Sequence, residues 1–98
     1  MTDLEISKAL ALAIGWKPEQ LEVFNGNMLC IEVGPSHLKE FRYDSWNVTG
    51  PIAERYGCFP QRRYYTTGDA YWSACVREYF YADTPQKAIA LAVIGGMK

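Results

Sequence analysis

The sequence predicts an α+β fold in which helices cover a small antiparallel sheet, close to an α-β-α sandwich, as one domain over residues 1–98. Three observations carry that prediction. Apolar residues recur at helical spacing near both ends of the chain, an Asn-Gly step separates two short apolar runs, and residues 62–82 are rich in aromatic and β-branched side chains around a polar turn. The order is helix, hairpin, short helix, antiparallel strands, helix, which is an α+β arrangement.

The first helix follows Thr2 or Asp3, either of which has an oxygen for an orphan amide of the opening turn. Ile6, Ala9, Leu10, Ala13 and Ile14 then make one apolar stripe, and Gly15 ends it. Leu21–Phe24 and Met28–Val33 read as two strands about Asn25-Gly26, a pair that tolerates the positive φ of a tight turn. Gly34-Pro35-Ser36 breaks the pattern, and 37–44 alternates too irregularly to assign, although Phe41 and Tyr43 are spaced to face a core together. A short second helix starts near Asn47, with Pro51 expected in its first turn, Ile52, Ala53 and Tyr56 on one face, and Gly57 as its stop.

Strands are expected over Arg62–Thr66 and Tyr71–Arg77 around the turn Thr67-Gly68-Asp69-Ala70, with Glu78–Tyr81 continuing extended. Alternation puts Ala70, Trp72, Ala74 and Val76 on the inward face and Tyr71, Ser73, Cys75 and Arg77 on the other. Thr84 caps a last helix with Pro85 at its first position. Ile89, Ala92 and Val93 pack it on the sheet, and Gly95-Gly96 release it.

Ten Lys+Arg against eleven Asp+Glu leave a net charge of −1, so no global positive field supports nonspecific nucleic-acid binding. The opening MTDLEISKAL is no secretory signal, and no apolar run is long enough to span a bilayer, so a cytoplasmic protein with no membrane contact is expected. Cys30, Cys58 and Cys75 are odd in number and widely spaced, and read as reduced, packed thiols. With His37 the single histidine and no Cys-x-x-Cys, no metal motif is present. Phosphate-loop, dinucleotide and nucleophile-elbow glycine patterns are absent too. Glu40, Asp44, Glu78 and Asp83 are read as solvated carboxylates. No catalytic residue, metal or cofactor is therefore assigned, and the chain is expected not to be an enzyme.

One constellation stands out. Arg62, Arg63, Tyr64 and Tyr65 lie across the proposed turn from Tyr71, Arg77, Tyr79 and Tyr81. Tyr and Arg are enriched in protein interfaces because each offers a large contact area with a polar tip. The binding candidates are Arg62, Arg63, Tyr64, Tyr71, Arg77 and Tyr79.

The run Trp46-Asn47-x-x-Gly50-Pro51-Ile52-Ala53-Glu54-Arg55-Tyr56-Gly57, the strand with Trp72-Ser73-Ala74, and Ala82-Asp83-Thr84-Pro85-Gln86-Lys87-Ala88-Ile89 resemble the phage α-β-α sandwich domains encoded by tailed phages and prophages. The helix closing on Gly15-Trp16 adds to the likeness. The resemblance implies a compact sheet with helical cover and a phage or prophage origin, and it carries no catalytic residues. The expectation is a nonenzymatic accessory protein that binds a host or phage protein through its Tyr/Arg-rich sheet face. The alternative is a small single-stranded nucleic-acid-binding protein that uses the same residues for stacking and phosphate contact. Unpaired sheet edges leave room for a homodimer.

Overall fold

The computed structural model describes residues 1–96. Helix α1 covers Asp3–Ala13, a 3-10 turn follows at Pro18–Gln20, and strands β1 (Leu21–Phe24), β2 (Met28–Gly34) and β3 (His37–Glu40) come next. Helix α2 is Trp46–Tyr56, strands β4, β5 and β6 are Gln61–Tyr64, Ala70–Cys75 and Tyr79–Ala82, and α3 is Pro85–Gly96. The α+β class stands. The strands form two separate antiparallel sheets, ordered β1-β2-β3 and β4-β5-β6, and not the one small sheet expected, because no strand of the first group pairs with one of the second.

Local chemistry explains most ends. Thr2 caps α1 by accepting the Glu5 amide at 3.2 Å while the Glu5 carboxylate accepts the Thr2 amide at 3.1 Å. That reciprocal pair holds Glu5 below the ordinary carboxylate pKa. Asn25 (φ 54°) and Gly26 (φ 73°) turn the first hairpin as expected. Gly57 ends α2 in the left-handed region. The Thr84 hydroxyl accepts the Lys87 amide at 3.2 Å at the start of α3.

Four local expectations change as well. Residues 37–40, left unassigned by their alternation, form β3 as an exposed edge strand whose two-residue turn is Pro35-Ser36. An edge strand with no buried face has no period-2 signature to read. Pro51 lies inside α2 and not in its first turn, because the Ser45 carbonyl already accepts the Val48 and Thr49 amides and so starts the helix earlier. Glu78–Tyr81 is no continuation of the preceding strand: the chain bends at Val76–Glu78 and returns as β6 beside β5. Gly95 and Gly96 do not release α3; they are helical and lie directly against Phe80 and Val76.

The layer order also has a physical reason. Helix α3 packs on β5 and β6 on one side and on α1 and α2 on the other, and β2 packs on α1. Ala88, Ile89, Ala90, Ala92 and Val93 of α3 are all buried. A helix apolar all round belongs in the interior. The helices are thus held between two sheets, in a body of 50 × 26 × 22 Å. Phe41 and Tyr43 face the core together, as their spacing predicts, with the Tyr43 amide donating to the Ser7 hydroxyl at 3.2 Å.

Candidate functional site, the open face of the second sheet

The register of β4, β5 and β6 decides which side chains share a face. Arg63 is paired with Tyr71, Gln61 with Ser73, Ser73 with Tyr81, and Cys75 with Tyr79. Paired residues point the same way, so these side chains form the face turned away from α3. The opposite face, with Trp72, Ala74 and Phe80, packs on the core. Tyr65, Tyr79 and Tyr81 are 57%, 53% and 57% exposed and Tyr71 is half-buried, so no helix covers the outer face.

The face is organised internally. The Tyr65 and Tyr71 ring centroids are 4.4 Å apart and those of Tyr71 and Tyr81 are 5.8 Å apart, both tilted, which makes a row of three rings across the sheet. Beside it, Arg63 Nε donates to the Ser73 hydroxyl at 2.9 Å and Nη2 donates to Gln61 Oε1 at 3.2 Å. The same guanidinium lies 5.5 Å from the Tyr79 ring centroid, within cation-π reach. Ser73 has no exposed surface, although alternation sets it outward. The Arg63 side chain is its hydrogen-bonded lid.

The six predicted binding residues do not form one patch. Arg63, Tyr71 and Tyr79 meet on the outer face. Arg62 and Tyr64 pair with Trp72 and Ala70 and lie on the other side, the Arg62 guanidinium 5.6 Å from the Tyr64 ring and both residues exposed. Arg77 sits in the bend between β5 and β6. Gln61 and Ser73, which hold Arg63, escape a search for aromatic and basic residues. Period-2 alternation carried back through residues 61–65 is the signal that separates 61, 63 and 65 from 62 and 64.

Two depressions lie elsewhere. A cleft of about 590 Å³ is lined by Asp3, Asn27, Glu40, Arg42, Tyr43 and Asp44. Its charges are already answered, since Arg42 reaches Asp44 through two hydrogen bonds of 3.1 and 2.8 Å and Asp3 accepts the Tyr43 hydroxyl. An apolar groove of about 270 Å³ separates the inner face of the first sheet from α2, between Ile31, Val33 and Val48. Among the described residues, no group of three or more His, Cys, Asp and Glu converges as a metal site would need. Burial pushes the Cys58 thiol pKa up, and burial with Glu40 and Glu22 across the strands does so for Cys30. That is the opposite of an activated thiolate.

Fold and face together define a small α+β protein with an uncovered aromatic sheet surface. Comparison with family models, with curated proteins and with solved structures gives no match. No helix among the described residues is long and apolar enough to cross a membrane.

Proposed function

We propose that this chain is a nonenzymatic accessory protein that works in the cytoplasm by binding another protein through the outer face of β4-β5-β6. The observation that supports this reading is the uncovered tyrosine row beside a held arginine, since Tyr and Arg dominate protein contacts and an arginine already held has less rotamer freedom to lose on docking. Phage or prophage origin rests only on the resemblance of residues 46–57, 72–74 and 82–89 and of the helix closing on Gly15-Trp16. The partner is then a host or phage protein.

The ring row also favours a second reading, stacking of single-stranded nucleic acid, because every base has a face to lay on a tyrosine. The test is capture from host lysate, with and without nuclease, on the wild-type chain and on a Tyr79→Ala, Tyr81→Ala double variant. Both residues are exposed, so the variant keeps the fold, which circular dichroism checks. The proposal expects a stoichiometric protein that survives nuclease and is lost with the tyrosines. Recovery of nucleic acid alone moves the assignment to the second reading, and retention of the protein by the double variant removes this face from the function.

A further inference from the structure

Arg63 is fixed in a pose that leaves its charge unanswered. Ser73 and Gln61 take two of its N–H groups and the Tyr79 ring supports one side of it, at 2.9, 3.2 and 5.5 Å respectively. No carboxylate of the described residues lies within ion-pairing distance of it, and Glu40 and Asp44 pair with Arg42 instead. The outward positions of the three strands hold tyrosines, Gln61, Ser73 and Cys75 and no acid. A guanidinium fork that is already oriented and flanked by rings has lost much of its rotamer freedom before any ligand arrives, and its free N–H groups match the two oxygens of a carboxylate.

We propose that Arg63 anchors one carboxylate, an Asp or Glu, of an extended segment of a partner protein laid across Tyr79, Tyr71 and Tyr81. Charge complementarity carries the choice of an acidic segment. Peptide is favoured over nucleic acid because the face has one strand cation: Arg62 is on the other side, Arg77 in the bend has an interaction of its own, and the chain carries a net charge of −1. A nucleic-acid track needs a series of phosphate contacts. The inference rests on the protein-binding reading above and makes it specific.

The test is selection from a random peptide library on immobilised wild-type chain and on Arg63→Gln, Arg63→Glu and the Tyr79→Ala, Tyr81→Ala variant, each first checked for a cooperative melt. Selected peptides are resynthesised with the acid replaced by its amide and titrated by fluorescence polarisation. The expected result is one acidic position in the wild-type sequences, an affinity about tenfold weaker for the amide peptide, no acidic preference on Arg63→Gln, and a Lys or Arg preference on Arg63→Glu. Peptides that lack an acidic position yet need the tyrosines overturn the anchor and leave the protein-binding reading intact. No selected peptide, with salt-sensitive binding of an oligothymidylate instead, overturns both.

Discussion

The Tyr43 hydroxyl donates a 2.7 Å hydrogen bond to Oδ1 of Asp3, joining the segment after β3 to the first turn of α1 across forty residues of sequence. Burial first, and the Asp3 carboxylate second, push the Tyr43 phenol well above its ordinary pKa. The unfolded value is about 10, and the folded one is higher, so the neutral phenol favours the folded state. That contribution is whole below a pH of about 10 and is lost as pH rises through the folded-state value. Denaturant midpoints should hold level to that pH and then fall, and Tyr43→Phe should cost about 1–2 kcal/mol at neutral pH while flattening the alkaline fall. A variant that keeps the full alkaline fall would assign it to other groups.

A Cβ at Gly95 would run into the Phe80 ring, and one at Gly96 would lie 2.6 Å from Val76 Cγ1. Alanine normally gains about 1 kcal/mol over glycine inside a helix. Here Gly95→Ala should instead destabilise by about 1–3 kcal/mol through overpacking. Adding Phe80→Leu should recover part of the loss in a double-mutant cycle. Independent, additive effects in that cycle would mean that the ring and the glycine do not meet.

Ser36 has φ 59° at the second position of the Pro35-Ser36 turn, where glycine is at ease and serine is strained. Relief of about 1–2 kcal/mol of left-handed strain, less about 0.5–1 kcal/mol for the freer unfolded chain, leaves a small gain. Ser36→Gly should therefore raise the melting temperature by a few degrees, and Ser36→Ala should not. A fall with glycine would contradict the turn geometry.

The three thiols should differ in rate. Cys75 is half-buried, whereas Cys58 and Cys30 are 2% and 7% exposed with pKa values raised by burial. Iodoacetamide at neutral pH should modify Cys75 first and reach Cys58 fully only on unfolding, as followed by peptide mass mapping. Early labelling of Cys58 would point to an opening of the chain after α2.

Sequence alone determined the elements whose signals are local. Thr2 (one of two caps the sequence offers, with Asp3), Asn25-Gly26, Gly57 and Thr84-Pro85 act within a few residues of themselves, through a cap or a positive φ, and each marks the boundary its chemistry implies. Of the inward set Ala70, Trp72, Ala74 and Val76 that alternation gives, the last three pack on or in the core, whereas Ala70, at the start of β5, is exposed. Tertiary structure decided the rest. Strand β3 is recognisable only by its pairing with β2, and the bend at Val76–Glu78 only by the return of β6 to β5. That α3 lies between two sheets depends on what its Ala-rich flanks meet, a question of packing to which helical periodicity is blind. The same holds for the site. Arg62 and Arg63 are neighbours in sequence and opposites in space, because successive side chains of a strand point to opposite faces and only the sheet's packing on α3 shows which face stays open.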